Sequence, residues 1–418
     1  MINIKASIVF ILILSSSYYR ADATNLMNLS LEELLKVRVV TAASGFEQNI
    51  RQAPATVTVI TSEEWQSKGA RKLSDVLETV PGFHVGKPPA LYKHKKFIIR
   101  GLSGVSSSQI KLLIDGEPFE YMQDNGLFSG FELPLSSFQR IEIIKGPGSA
   151  VYGADAFAGI VNLVTFKQNE MPAQIGGRLG AFNSYDFFAS GAVDLEDSHL
   201  QWAIDYMKSD DDKNRIVSSD LQSIFDGIFD TNATNAPGPI DDHYKVLLLS
   251  TKWQWQNLQF DYLTWRNFDV GLGAGIAQAL DTRGHGSVQV NNYNIQYDLS
   301  EYIKGNLKAT FSYKDQRSLS YLYIFPAGTV VPIGADGNAD FVSPTTFSFF
   351  SDGYIGTPSN KGNTTSFQLS HLFSSSKTNI VRWQLGYETQ DFKVFERKNF
   401  GPGILNGTEI FVDGNLTD

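Results

Sequence analysis

Arg140-Ile-Glu-Ile-Ile-Lys-Gly-Pro-Gly-Ser-Ala-Val-Tyr-Gly-Ala-Asp-Ala-Phe-Ala-Gly-Ile-Val-Asn-Leu-Val-Thr165 decides how this chain is read. Two β-prone runs, Ile141–Ile144 and Ile160–Thr165, flank a segment that holds Gly146, Gly148, Gly153 and Gly159. Glycine reaches backbone angles that other residues avoid, so the pattern predicts tight turns joining two strands. Residue order excludes a phosphate cradle. A Walker loop ends in Gly-Lys-Ser/Thr and opens a helix, whereas Lys145 precedes these glycines. A dinucleotide fingerprint also fails, because no apolar helix of 3.6-residue period follows.

The 418 residues carry a net charge of −9 and no cysteine. An acidic balance without a basic stripe argues against a nucleic-acid partner. Without cysteine there are no disulfides, thiolate zinc sites or cysteine nucleophiles. Met1–Ala23 predicts a secretory signal peptide, with Lys5 as its positive region, Ala6–Leu14 as its apolar stretch and Ala21-Asp22-Ala23 as its cleavage site. That stretch falls well short of the ~20 residues a spanning helix needs, and no other run reaches that length. A membrane role must therefore be built from strands.

Three upstream segments extend the reading: Ala53–Thr61, Leu73–Gly82, and Ile98–Gly101 with Leu112–Pro118. In this order, and together with the opening stretch, they resemble the plug domain of TonB-dependent outer-membrane receptors. The resemblance implies an α+β plug domain followed by an antiparallel transmembrane β-barrel. It divides the chain into signal peptide (1–23), N-terminal extension (24–52), plug (53–167) and barrel (168–418). It places a TonB box at Val37, Arg38, Val39, Val40, Thr41 and Ala42, an extended segment that pairs as a strand with the energy-coupling protein TonB. An ordinary first plug strand is the alternative there. Arg100 and Arg140 fall where plugs of this family carry arginines that pair with barrel carboxylates; a local ion pair is the alternative.

Local signals agree with a mixed α+β domain. Leu31–Lys36 reads as a short helical patch. Thr61-Ser-Glu-Glu64 is a capping box opening a helix that stops at Gly69, and Ser74 is expected to cap a second helix ending at Pro81-Gly82. Ile110–Ile114 with Asp115-Gly116 predicts a strand and turn, which makes Asp115 a turn residue first.

From Gln174 onward helical period disappears and period-2 alternation takes over. Val381–Glu388 is apolar at 381, 383, 385 and 387, and Leu307–Lys314 alternates alike. Strands are expected at 174–182, 185–194, 199–208, 243–254, 258–268, 287–298, 305–316, 364–374 and 379–391. Connections 195–198, 255–257, 299–304 and 375–378 are short; 209–242, 269–286 and 317–363 are long. Short turns on one side and long loops on the other mark outer-membrane barrels, although Asn183-Ser184 is short against this pattern. Trp202, Trp253, Trp255 and Trp265 are expected in interfacial girdles.

About nine strands are predicted where the family's barrel has about 22, so the chain reads as an N-terminal portion of a receptor. Such a sheet alone would leave two open edges in lipid. No enzyme, metal site or cofactor is expected: His84, His94, His199, His243, His285 and His371 are scattered without His-Glu-x-x-His spacing. Asp210–Asp212 reads as a solvated acidic tip, and Lys93–Lys96 as a solvent-facing charge run. The resemblance implies TonB-driven import of a scarce ligand across the bacterial outer membrane, in contact with its lipid. Gly45–Ile50 with Ala53-Pro54-Ala55 resembles ferric-siderophore receptors of the catecholate and colicin-receptor group. Cobalamin, haem or oligosaccharide cargo, and a truncated non-transporting remnant, are the alternatives. Tyr92, Tyr121, Phe128 and Phe131 are expected in apical plug loops, stacking on ligand or packing on the barrel wall.

Overall fold

A computed structural model describes residues 39–40, 48–49, 56–86, 95–103, 107–128, 130–146, 156–167, 170–303, 305–376, 379–401 and 410–414. The signal stretch, the 31–36 patch, Tyr92, and positions 37, 38, 41 and 42 of the expected TonB box lie outside these residues. Val39–Val40 (β1) pairs antiparallel with Gln48–Asn49 (β2).

The first compact unit begins at Val57–Thr61 (β3) and turns directly into Ser62–Ser67 (α1). Its capping box forms as expected, with the Thr61 backbone N–H donating to Glu64 Oε2 at 3.0 Å. Gly69 ends this segment at φ 72°, a conformation glycine adopts without strain. The next helix, Leu73–Leu77 (α2), is capped at Lys72 and not at Ser74. Asp75 accepts from the Arg71 and Lys72 backbone N–H groups, so the start moves upstream, and Ser74 Oγ instead accepts from Lys95 Nζ. Phe83–Gly86 (β4) and Lys96–Ile99 (β5) form a hairpin pair.

Ile110–Ile114 (β6), Glu117–Pro118 (β7), Phe138–Lys145 (β8) and Gly159–Thr165 (β9) complete a sheet of order β3-β8-β9-β6-β7. The two runs of the opening stretch are β8 and β9, paired antiparallel with Ile144 opposite Ile160. Ile141, Ile143, Ile160, Val161 and Leu163 are fully buried. Gly159 is required by space: a Cβ there would lie 2.7 Å from the Ile144 carbonyl oxygen.

A ten-stranded antiparallel sheet follows, each long strand paired with its sequence neighbour in the sheet. Its first strands are Gln174–Gly180 (β10), Ser184–Leu195 (β11) and Ser198–Ser209 (β12). Ile216–Val217 (β13), Leu221–Phe229 (α3) and Gly238–Pro239 (β14) fold within the connection to Tyr244–Trp255 (β15). Then come Leu258–Gly271 (β16), His285–Asp298 (β17) and Asn306–Phe325 (β18). The hairpin Thr329–Ile333 (β19) and Thr346–Phe350 (β20) precedes Tyr354–Ser376 (β21), Asn379–Lys398 (β22) and Ile410–Gly414 (β23).

All nine expected strands are present, and the short β23 adds a tenth. Short and long connections alternate around the sheet. The first, at 181–183, is short and belongs to the long-loop rim. Helical structure does return after Gln174. Asp220 accepts from Ser223 N at 2.8 Å, capping α3 inside a long loop where strand periodicity gave no signal.

Pairing register fixes the two faces. Along β12, His199, Gln201, Asp205 and Ser209 turn inward and are buried, while Leu200, Trp202, Ile204 and Tyr206 face out. Val381, Leu385 and Tyr387 on β22 likewise remain exposed. Apolar side chains outward and polar ones inward is the pattern of a wall whose outer solvent is lipid. Trp202, Trp253 and Trp255 share the outer face near the short-turn rim. Trp265 does not. Trp253 pairs with Phe260, and Trp265, an odd number of residues beyond, falls on the inner face, where it is fully buried.

Candidate functional site at the plug–wall boundary

The five-stranded domain sits against the inner face of the wall, and one apolar core runs through both. Its centre is Trp265. The indole packs on Phe119, Phe128 and Phe131 with ring centroids 6.3, 5.4 and 5.7 Å away. Its Nε1 donates to the Glu132 carbonyl oxygen at 2.8 Å, and Asn267 Nδ2 to the Gly130 carbonyl at 2.8 Å. Phe128 and Phe131 therefore pack on the wall, buried at 0 and 2% exposure. Tyr121 differs. It packs edge-on to Phe128 and Phe392, and its hydroxyl meets Asn360 of β21.

Beside Trp265 the Glu132 carboxylate holds two ammonium groups, Lys95 Nζ at 2.5 Å and Lys72 Nζ at 3.2 Å. Lys95 is buried, so the expected solvent-facing charge run is corrected there: its charge is turned into the plug by Glu132 and Ser74. Lys72 also lies over the Tyr244 ring at 5.0 Å, linking this cluster to β15.

Elsewhere the boundary is polar. Arg71 pairs with Asp186 at 2.9 Å, and Lys252 with Asp115 at 2.8 Å. Gln316 of β18 grips the plug backbone twice, accepting from Met122 N–H and donating to the Glu120 carbonyl. Asp115 is a turn residue, at φ 51°, and its carboxylate accepts from Thr165 N and Oγ1 as well as Lys252. Burial opposes ionisation of Asp115, but Lys252 and the Thr165 donors outweigh it and hold the carboxyl below its usual range.

The two arginines singled out from the sequence do not make these wall contacts. Arg140 Nε pairs with Glu142 at 2.9 Å, two residues along its own strand inside the plug sheet. Arg100 is exposed in the turn after β5, and among the described residues it faces no carboxylate of the wall. Arg71, Glu132, Lys252 and Gln316 escaped the sequence reading, and Asp115 and Trp265 were read only as a turn and a girdle residue. On the wall side the only signal was the inward parity of Lys252, Trp265 and Gln316, whose plug partners lie over 100 residues away.

On the long-loop rim the connections fold onto one another. Phe225 of α3 packs with Ala279, Phe325, Val331, Ile333, Phe350 and Tyr354. At the base of the first long loop His243 lies between Asp241 (2.9 Å) and Asp269 (3.0 Å), with Lys213 on Asp241 and Lys245 on Asp269. Asp211 and Asp242 pair with Arg215, and Asp210 with Lys208, so two of the three carboxylates of the acidic tip are held by nearby bases.

Burial disfavours the charged imidazole of His243, yet the two carboxylates raise its pKa. Burial likewise opposes the Asp241 anion, and His243 and Lys213 outweigh this, bringing it down to about 2. A raised histidine stabilises fully below its unfolded value and loses the effect as pH rises through the folded one; a lowered carboxylate does so above its unfolded value and loses it on acidification. Backbone protection in 210–243, from exchange rates corrected for their intrinsic pH dependence, is therefore expected to be greatest between about pH 4 and 6.5 and to fall on either side. In His243→Asn the alkaline limb should flatten. A wild-type profile without that limb would refute the clamp.

Residues 49–160 match the family model of the TonB-dependent receptor plug domain. This chain thus carries a plug domain of the TonB-dependent receptor type, seated beside a ten-stranded antiparallel wall. It is 33% identical over 164 residues to the vitamin B12 transporter BtuB of Vibrio vulnificus, covering 37% of this chain and 26% of that one. It is 32% identical over 176 residues to the iron-regulated outer membrane virulence protein of Vibrio cholerae, covering 40% of this chain and 24% of that one. The chain thus spans about a quarter of the length of these curated relatives. The unliganded ferric citrate transporter FecA has the same fold over 90% of this chain and 54% of its own, at TM-score 0.57 and 15% identity.

Proposed function

We propose that this chain belongs to an active importer of the bacterial outer membrane, with Met1–Ala23 as its cleaved signal peptide. The cargo is a ferric siderophore, and TonB supplies the work by pairing with Val37–Ala42. The observation that carries the reading is the plug's attachment. Ion pairs and side-chain hydrogen bonds surround an apolar core shared by plug and wall and centred on Trp265, on the inner face of a wall whose outer face is apolar. Partly exposed ion pairs such as Arg71–Asp186 and Lys252–Asp115 are individually weak and re-form in water, so a pull on the plug can release them in turn. The match to an iron-regulated outer-membrane protein supports iron as cargo; that to a B12 transporter supports cobalamin as the second reading.

Deleting Val37–Ala42 from the complete receptor is expected to abolish uptake while leaving ligand binding at the cell surface unchanged. Persistent uptake would exclude this segment as the coupling site. Uptake of radiolabelled ferric chelates and cobalamin by a gene-deleted strain, with and without complementation, decides between the cargoes.

A further inference from the structure

On the outer face of the wall the pairing register lines up four bases. Arg266 of β16 lies opposite Gln289 of β17, and Gln289 opposite Arg317 of β18. Arg317 lies opposite Lys361 of β21, and Lys361 opposite Lys393 of β22. All four bases are exposed. Lys393 shares the strand parity of Val381, Leu385 and Tyr387, so the row points the same way as the apolar face.

The row stands at a defined height. From Asn306, beside a short turn, to Arg317 the strand climbs about 25–30 Å at its usual rise and tilt, close to the full apolar band of an outer-membrane wall. On the short-turn side of the row Tyr262, Tyr293 and Tyr313 lie side by side, with ring centroids 5.0 and 6.1 Å apart. Tyrosines gather where lipid headgroups begin, and the bases stand just beyond them toward the long loops.

Like charges directly opposite on paired strands weaken the pairing, and Arg317, Lys361 and Lys393 are three in succession. The adjoining row, Asn291, Asp315, Asn363 and Asp391, contributes two carboxylates. Among the described residues only Asp315 forms an ion pair with the bases, 3.7 Å from Arg317. Four bases against two carboxylates leave the patch net positive and short of a counter-anion. We propose that Arg266, Arg317, Lys361 and Lys393 bind the headgroup of a lipid carrying more than one phosphate, in the leaflet on the long-loop side. Arg317 to Lys393 spans about 10 Å across adjacent strands, room for two phosphates. Arginine grips phosphate oxygens through paired N–H groups, and lysine adds point charge. Exposed Phe311 and Phe367, opposite each other below the row, offer the acyl chains an apolar bed, which favours a lipid over a free anion. The inference rests on the lipid-facing side of the wall and does not require the import reading.

The test is binding of fluorescently labelled lipid A, which bears two phosphates, to the full chain in zwitterionic detergent. It should bind more tightly than its dephosphorylated form or phosphatidylcholine, and should weaken as salt rises. An equal concentration of inorganic phosphate should not displace it. Lys361→Gln should weaken binding about 5-fold, and the triple variant Arg317→Gln, Lys361→Gln, Lys393→Gln on the order of 100-fold. Without lipid the triple variant should melt no lower than wild type, because opposed like charges are removed; this separates loss of the site from loss of the fold. Lys245→Gln, on the same face but paired with Asp269, should leave binding unchanged. Absence of lipid A binding, equal affinity for the dephosphorylated lipid, displacement by inorganic phosphate, or equal losses from Lys245→Gln and Lys361→Gln would each overturn the proposal.

Discussion

Replacing Glu132 by alanine is expected to destabilise the seating of the plug by about 3–5 kcal/mol, among the largest single-residue effects in the molecule. The carboxylate is 3% exposed and sits between the ammonium groups of Lys95 and Lys72. Alanine would leave both positive charges without it in a region that water reaches poorly. Burial pulls the Lys72 pKa down, but Glu132, with Tyr244 and Asp75 adding, outweighs it and pushes the value up. A lysine raised in the folded state stabilises fully below its ordinary value of 10.5 and loses the effect as pH rises through the folded value. The gap between wild type and Glu132→Ala should therefore stay flat through neutral pH and narrow only in strong alkali. Hydrogen exchange of β5 and α2 in the detergent-held chain reports it. A Glu132→Leu, Lys72→Met, Lys95→Met triple variant should recover most of the loss, since matched apolar replacement of a buried ionic cluster is often neutral. A single variant as stable as wild type would show that the cluster is hydrated and unimportant.

Trp265→Ala should cost a similar amount, about 3–5 kcal/mol, by a different route. It removes the fully buried ring that Phe119, Phe128 and Phe131 surround and leaves a cavity between plug and wall. It also takes the donor from the Glu132 carbonyl. Trp265→Phe, which keeps most of the packing and loses only the hydrogen bond, should fall nearer 1 kcal/mol beyond its packing loss. The loss should appear as faster exchange and easier proteolysis in 119–135, with the wall strands unaffected. Equal loosening of β15–β17 would mean that the indole stabilises the sheet and not the seating. Trp265 donates to the backbone carbonyl of residue 132, which Glu132→Ala keeps, so a double variant short of the sum would report coupling through the core the two residues adjoin.

Much of this architecture was legible in the sequence because local chemistry specifies it. Thr61 and Glu64 form the capping box their spacing predicts, and Gly159 falls where a side chain has no room. The alternation along Val381–Glu388 places those apolar residues outward. The helix at Leu221–Phe229 went unread because one short amphipathic turn inside a long loop competes with strand periodicity on either side. Ser74 was misread as a cap because Asp75 supplies the same chemistry one residue later.

Within the site the sequence placed residue types and the structure chose their partners. Trp265 looked like its girdle neighbours until pairing register turned it inward. Phe128 and Phe131, open in the sequence to stacking on ligand or packing on the wall, pack against Trp265 of the wall. Arg140 found its carboxylate two residues away, whereas Arg71 and Asp115 found theirs 115 and 137 residues away. Periodicity, caps and turn chemistry act over a few residues, so the chain alone determined its strands, its turns and the two faces of its sheet. Which charge meets which, and which aromatic seats the plug, depend on contacts between segments distant in sequence. Those were decided only when the wall's register brought the two surfaces together.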